Sequence, residues 1–291
     1  MLRERYGTVS GPHRARGPIV ARMRTAEVEA ALGETIYKAA QVAGGDINQA
    51  FKVELVSGKI VFVKWQDRVL PGLFEAEAAG LEWLRPGPLR IPNVLAYGDH
   101  WIALEWLEIT RSPGKSFGHQ LAQLHQLGAP SFGLDRSNYL ATLPQDNTPE
   151  PDWPTFYVER RLRPLCARAK LGVDRELDVL RTRPELFGPP EPPARLHGDL
   201  WSGNTGSVRD ETTIFDPAVY GGHREIDIAM LALFGGLPDG FIESYEQVSP
   251  LALGWRDRIA LHQLYPLAAH ACLFGGGYGP RVASLVATLL R

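Results

Sequence analysis

Cysteine is nearly absent from this chain: there are two in 291 residues, Cys166 and Cys272, far apart and forming no C-x-x-C pair. That excludes a disulfide scaffold and a cysteine-rich zinc site, and leaves two separate thiols. Excess charge of one sign is missing too, with 31 Lys+Arg against 33 Asp+Glu and a formal net charge of -2. No global field therefore recruits nucleic acid or an anionic membrane surface. No apolar run reaches the roughly 18 residues that a spanning helix needs, and no internal repeat is visible. What remains is an ordinary globular composition, 44% hydrophobic and 22% charged, in a chain long enough to bury a large core without staples. At roughly 100–200 residues per domain, the length suggests two domains or one bilobal unit. These features point to a cytoplasmic protein with neither nucleic-acid nor membrane partners.

Residues 1–24 carry Arg3, Arg5, Arg14, Arg16, Arg22 and Arg24 against one acid, Glu4. They lack the apolar stretch of a secretory signal and are broken by Gly and Pro, so they read as a disordered or extended segment upstream of a start at Met23. From Thr25 the pattern becomes regular. Early acids after Thr25 predict a helix leading into TAEVEAALGETIYKAAQV. Alternation over 50–55, a Ser57-Gly58-Lys59 turn and a β-branched, aromatic run over 59–65 predict a hairpin. Phe74, Ala78, Leu81 and Leu84 mark a helix over 72–84 that Pro86 ends. IPNVLAYGDHWIALEWL reads as two further strands. The remainder is mostly helical, at 117–127, 154–170, 226–234 and 256–273, with proline-rich loops near 144–154 and 188–193. A turn-rich string, LHGDLWSGNTGSV, and a strand at 213–215 interrupt the helices. The expected fold class is α+β and bilobal: residues 25–107 form a small lobe with an antiparallel sheet and a helix, and 108–291 form a larger, mostly helical lobe.

The most informative residues are His197-Gly198-Asp199-Leu200-Trp201-Ser202-Gly203-Asn204, followed by Ile214-Phe215-Asp216. Moving a phosphoryl group to a hydroxyl needs an acceptor for the alcohol proton and oxygen ligands that hold a divalent metal against phosphates. Asp199 supplies the first, and Asn204 and Asp216 supply the second. The plain alternative is an Asx-rich turn beside a helix cap. Against it stand His-Gly before the Asp, the five-residue spacing to Asn204, and an apolar strand ending in a second Asp.

The same chemistry needs a cation on the phosphates. Lys64 ends the apolar run Ile60-Val61-Phe62-Val63, where the alternative is an edge-strand lysine with its head in water. Glu77 on the following helix can partner it; Glu75 points to a different helix face, so only one of the two can do so. Upstream, Gly44-Gly45 with Asp46 can form a turn whose backbone N–H groups face phosphate, although an ordinary β-turn has the same signature.

Together the strings GGDINQAFKV, VFVKW, FEAEAAGLEWL, LEWL, FGLDRSNYL, RRLRP, LHGDLWSGN and IFDPAVYGGHREIDIAM–LFGG resemble the fructosamine kinase (ketosamine-3-kinase) family over about residues 34–278. The resemblance implies a protein-kinase-like bilobal fold related to aminoglycoside and choline kinases, with ATP and Mg²⁺ as cofactors. It implies phosphorylation of the sugar 3-hydroxyl of fructosamines or ribulosamines on free amines or protein lysines; the unstable product sheds the sugar, so that the amine is deglycated. It places Lys64 on the α/β-phosphates with Glu77 as its helix partner, Gly44 and Gly45 at the phosphate turn, and Asp199 as the base. Asn204 and Asp216 become metal ligands, and the Glu105-Trp106-Leu107 backbone becomes the adenine-reading hinge. His197 and Asp227 brace the catalytic loop, and Trp201 packs on the sugar adduct or simply within its loop.

The chain departs from many eukaryotic relatives at Asp46, where they have a cysteine that supports a disulfide dimer. Thiol switching is therefore not expected, and the chain is expected to be a monomer or weak homodimer. Cys272 is expected to be buried and Cys166 to be the more exposed thiol. Three other functions are weaker. An aminoglycoside phosphotransferase would line its pocket with carboxylates, whereas RRLRP is basic. A pseudokinase would have lost Lys64, Asp199, Asn204 or Asp216. A nucleic-acid arm would interleave aromatics with its arginines.

Overall fold

The structure, a computed structural model, describes residues 25–42, 49–68, 70–110 and 112–291. The N-terminal segment 1–24 and the Gly44-Gly45-Asp46 turn lie outside them. Helix α1 (Thr25–Leu32) is followed by strands β1 (Ile36–Val42), β2 (Gln49–Leu55) and β3 (Ile60–Trp65), helix α2 (Leu73–Leu84), and strands β4 (Val94–Gly98) and β5 (Trp101–Glu105). The five strands form one antiparallel sheet in the order β1-β2-β3-β5-β4.

The first helix is shorter than its sequence suggests. It stops at Leu32, Gly33 turns in a left-handed conformation (φ +69°), and IYKAAQV forms β1. Ala, Lys and Gln favour helix, but pairing with β2 supplies every ladder hydrogen bond, and tertiary context overrides propensity. The Glu29 carboxylate accepts the Ile36 amide at 2.8 Å and so fixes the corner.

Strand alternation decides which side chains reach the second lobe. Val61, Val63 and Trp65 share a face with Phe51, Val53 and Leu55 and pack under Val28 of α1. With a side-chain period of two, Lys64 and Phe62 then point to the opposite face, toward the rest of the molecule. On α2, Phe74, Ala78 and Leu81 are buried at helical spacing, and Glu75 faces solvent.

The second lobe holds α3 (Phe117–Gln126), the small hairpin β6 (Asn138–Leu140) and β7 (Leu143–Gln145), and a helical run from α4 (Trp153–Phe156) through a π-helical stretch (Tyr157–Leu162) into α5 (Arg163–Arg168). It continues through α6 (Asp174–Arg181), β8 (Ala194–Leu196), the hairpin β9 (Thr205–Val208) and β10 (Glu211–Ile214), β11 (Tyr220–Gly222), α7 (Glu225–Leu233), α8 (Phe241–Glu246), α9 (Trp255–Phe274) and α10 (Tyr278–Leu289). The 144–154 connection, expected as pure loop, thus begins inside β7. The strand expected at 213–215 is β10, which ends one residue earlier and leaves Phe215 and Asp216 on the turn beyond it.

Two prolines shape the helices. Pro164 cannot donate to the residue four before it and its ring would crowd that carbonyl, and the widened π-helical turn lies just ahead of it. Pro266 lies inside α9 and leaves the His262 carbonyl without its helical donor. The buried Tyr157 hydroxyl lies 3.2 Å from that freed His262 oxygen and 2.7 Å from the Leu261 carbonyl, and it accepts the Tyr265 amide at 3.2 Å. The extra π residue also shifts the phase of α5. Cys166 is therefore buried; Cys272, on α9, is only half-buried, so the order is the reverse of the sequence expectation.

The architecture is the α+β bilobal one expected: an antiparallel-sheet lobe and a larger helical lobe. One apolar cluster, with Leu81, Leu84, Ile102, Leu104, Phe117, Leu200 and Ile228, spans both and sets their relative position.

Candidate active site

Where the lobes meet, Lys64 of β3 sits 5% exposed between two carboxylates. Its Nζ donates to Glu77 Oε1 of α2 at 2.6 Å and to Asp216 Oδ1 from the second lobe. Burial works against the ammonium, but the charges of Asp216 and Glu77 outweigh it and hold the lysine protonated, above its ordinary pKa. Glu77 is pushed upward by burial, with Lys64 opposing. Glu75, the alternative partner, is exposed. The Asp216 side chain is 40% exposed, and Lys64 engages its Oδ1. Its backbone has φ +58°, a left-handed conformation uncommon outside glycine that is held only where its surroundings over-determine it.

The segment after β8 is fixed by backbone hydrogen bonds to one buried carboxylate. Asp227 of α7, fully buried, accepts the His197 amide at 2.8 Å and the Gly198 amide at 2.9 Å. Gly198 has φ +79°, and a Cβ there would lie 2.1 Å from the Ala218 carbonyl, so only glycine permits the turn. His197 is buried, and burial lowers its pKa and favours the neutral ring. Its Nε2 lies 3.0 Å from the Phe215 carbonyl and its Nδ1 accepts the Asp199 amide at 3.2 Å, which assigns the Nε2–H tautomer. His197 thereby links the loop bearing Asp199 to the turn bearing Asp216.

Asn204, nearly fully buried, closes the loop. Its Nδ2 donates to Asp199 O at 2.9 Å and Asp199 Oδ2 at 3.1 Å, which turns its amide oxygen away from Asp199. Asp199 faces the cleft. Burial, and then the charge of Asp216, raise its carboxyl to about 7 against the opposing Asn204 hydrogen bond. Such a group exchanges a proton near neutrality. The donor set of Asn204 and Asp216 is oxygen only, which suits a hard divalent ion such as Mg²⁺. Trp201 is 40% exposed, and its ring covers Gly203, where a Cβ would come within 2.2 Å of it.

Glu105, Trp106 and Leu107 leave the end of β5 and, with Arg90, Glu108, Val208, Arg209 and Glu211, line a cavity of about 470 Å³. The Glu105 carboxylate does not face that cavity freely: Arg90 and the Asn93 side chain (2.8 Å) hold it. The Glu105 amide is engaged as well, donating to the Asn93 carbonyl at 2.9 Å. Beyond the strand, Thr110 and Ser207 exchange backbone bonds at 2.9 and 3.2 Å and tie this segment to β9.

Sequence reasoning missed several residues. His125 of α3 bridges Asp227 (3.2 Å) and the Tyr245 hydroxyl (2.7 Å); its only signal was a polar residue on the apolar face of FGHQLAQLHQL. Arg90 gave no local signal. Lys52 stacks over Trp106 at 4.4 Å from the ring centre, a cation–π contact unmarked in the sequence.

A sheet-bearing lobe, a helical lobe and a Lys–Glu–Asp constellation across their junction define the protein-kinase-like phosphotransferases. Residues 21–291 match the family model described as "Fructosamine kinase". The chain is 38% identical over 262 residues to a "probable ketoamine kinase" of Enterococcus faecium, covering 86% of this chain and 94% of that one. A "putative fructosamine-3-kinase" crystal structure from Thermobifida fusca is 42% identical with TM-score 0.82, covering 93% of this chain and 99% of that one. An amicoumacin kinase solved with AMP-PNP, Ca²⁺ and its antibiotic shares the fold at 14% identity, TM-score 0.59, over 94% of this chain and 95% of that one. The chain belongs to the fructosamine kinase family, as a phosphotransferase that acts as a kinase on ketoamines. Among the described residues no helix is long and apolar enough to cross a membrane.

Proposed function

We propose that this protein transfers the γ-phosphoryl group of ATP to the 3-hydroxyl of a fructosamine or ribulosamine carried on a free amine or a protein lysine, and that loss of the phosphorylated sugar then deglycates the amine. One observation carries this reading. Lys64, Asp199, Asn204 and Asp216 meet at the cleft in a family of ketoamine kinases.

Asp199 receives or orients the acceptor hydroxyl, its raised pKa matching a proton-accepting task near neutral pH. Lys64, pinned by Glu77, places a fixed positive charge at the phosphates without having to be reorganised during the reaction. Asn204 and Asp216 hold Mg²⁺, which when bound neutralises phosphate charge. On the family resemblance we assign Gly44 and Gly45, which lie outside the described residues, to phosphate binding, the Glu105–Leu107 backbone to reading adenine, and Trp201 to stacking on the sugar. His197 and Asp227 touch no substrate; they hold the Asp199 loop in place through its amides. The setting is the cytoplasm, and the working unit is a monomer or weak homodimer.

The test is ADP release coupled to NADH oxidation, run against ribulose-lysine, fructose-lysine, a glycated protein and kanamycin, each with and without Mg²⁺. Turnover on a ketoamine that needs Mg²⁺ and yields a 3-phosphate supports the reading. Turnover on kanamycin alone, or phosphorylation at another hydroxyl, contradicts it.

A further inference from the structure

A second opening between the lobes lies apart from the cavity beside Trp106. One wall is the end of β3 and the connection to α2, with Gln66, Asp67 and Arg68; the other is Thr142 of the β6–β7 turn and Arg168, the last residue of α5. Gln49, the first described residue after the glycine turn, closes one side, and the volume is about 380 Å³. We propose that this cavity is an anion subsite for a carboxylate on the amine half of the ketoamine, held by Arg68 and Arg168, which makes free amino-acid adducts better substrates than protein-bound ones. The inference rests on the proposed function, which sets the sugar at Asp199.

The first support is charge. Arg68 and Arg168 are exposed, and neither guanidinium makes a hydrogen bond or ion pair with any described residue. Arg90, Arg160, Arg163 and Arg224, by contrast, each grip a carboxylate. The one carboxylate in the lining, Asp67, is engaged elsewhere: its Oδ1 accepts Trp65 Nε1 at 3.2 Å and its Oδ2 accepts Gln49 Nε2 at 3.1 Å. Two guanidiniums against one carboxylate leave the lining net positive, and a guanidinium fork matches a carboxylate in geometry. The helix dipole alone accounts for a cation at the end of α5. It does not account for a second unpaired cation on the facing lobe.

The second support is a sheltered amide. Gln66 is 8% exposed. Its backbone is satisfied, the N–H donating to the His100 carbonyl and the carbonyl accepting His100 Nδ1, both at 2.8 Å. Its side-chain amide has no partner among the described residues, and the residue lines the cavity. A polar group in so sheltered a place is costly unless a ligand or water completes it. Thr142 brings a hydroxyl from the opposite wall that no described residue engages.

The third support is position. Gln66 follows Lys64 by two residues, about 7 Å along an extended chain, and alternation sets both on the cleft side. Lys64 meets Asp216 at the junction of the lobes. The Tyr139 hydroxyl donates to the Pro71 carbonyl at 2.8 Å and clamps the β6–β7 hairpin to the β3–α2 connection, so the two walls are held together. A ketoamine with its sugar at Asp199 projects its amine substituent out along the cleft. A free amino acid ends there in a carboxylate; a lysine within a protein has a peptide bond at that place and offers no anion.

The test uses three fructose adducts that differ at the far end: those of ε-aminocaproate, of its carboxamide and of cadaverine. The first keeps lysine's spacing between glycated nitrogen and carboxylate, and the second mimics a residue within a chain. Adduct kcat/KM and ATP KM are measured on wild type, Arg68→Gln, Arg168→Gln and Arg168→Glu, with melting temperatures to show that the variants fold. We expect the wild type to favour the carboxylate over the carboxamide by about tenfold or more, through KM, the scale of a charge-assisted hydrogen bond. Either Gln variant should shrink that ratio to within about twofold with ATP KM unchanged, and Arg168→Glu should shift preference toward the cadaverine adduct. The wild-type comparison stands even where a substitution fails to fold. Equal turnover of carboxylate and carboxamide by the wild type overturns the subsite and leaves the ketoamine kinase reading intact. A rise in ATP KM in the Gln variants, with the carboxylate preference kept, also overturns it by assigning the arginines to nucleotide phosphates. Turnover of none of the adducts overturns the proposed function and the subsite with it.

Discussion

Lys64 and Arg258 are both buried cations gripped by carboxylates, and they serve opposite ends. Lys64 is held by Glu77 on one side and by Asp216 on the other, and the Asp216 side chain is 40% exposed. Arg258 is held by Glu225, whose side chain is 0% exposed, and its remaining donors go to the Leu253 and Ala252 carbonyls. The first arrangement crosses the junction of the lobes and leaves one carboxylate open to ligand. The second closes on itself inside one lobe. Both sequester charge at a cost that hydrogen bonding offsets. Only the first has spare capacity facing a cleft. If the proposed function holds, it is the exposure of the partner, rather than the burial of the cation, that separates a working charge from a structural one.

The largest effect expected from that contrast is on turnover. Lys64→Met should lower kcat/KM by about 10²–10³-fold, the usual scale for losing one preorganised charge, and should also lower the melting temperature because Glu77 loses its partner. Adding Glu77→Leu should recover much of the stability and none of the activity. Recovery of both would make Lys64 structural and break the comparison. Arg258→Met should do the reverse. Leaving Glu225 buried without its guanidinium, with only His262 beside it at 3.4 Å, should cost about 3–5 kcal/mol in denaturant unfolding, while kcat of the folded fraction stays within about twofold of wild type. A large fall in kcat with unchanged stability would erase the distinction.

A smaller effect concerns the thiols. Burial, and then the neighbouring Cys272, push the Cys166 thiol up to about 12, so it stays protonated and unreactive at pH 8. Iodoacetamide at that pH should label Cys272 first, leave Cys166 unmodified until the chain unfolds, and change activity little. Peptide mapping that finds Cys166 labelled first would reverse the burial order seen in the fold.

How legible all this was depended on whether the information was local. LHGDLWSGN and IFDP carry Asp199, Asn204 and Asp216 within a stretch closed by a short hairpin, so chemistry and spacing could be read together. Lys64 stood out as a charge in an apolar strand, and helix geometry narrowed its partner to one of Glu75 and Glu77. His125 could not be found, because its partner Asp227 lies 102 residues away and only the packing of α3 on α7 and α8 joins them. Arg90 and Arg161 were hidden for the same reason. Arg161 serves as a buried pillar 3.9 Å over the Tyr220 ring. Periodicity failed in two places with physical causes. A π-helical turn before Pro164 rotated Cys166 into the core, and a helix-favouring string was drawn into the sheet edge by β2.

The most direct measurement of the central claim is the pre-steady-state and steady-state kinetics of Asp199→Asn on the preferred ketoamine. Asparagine keeps the size and the link to Asn204 but cannot take the hydroxyl proton. The account predicts kcat at least ~10²-fold below wild type, with nucleotide affinity and melting temperature nearly unchanged. Turnover close to wild type would contradict it and would move the proton acceptor away from this carboxylate.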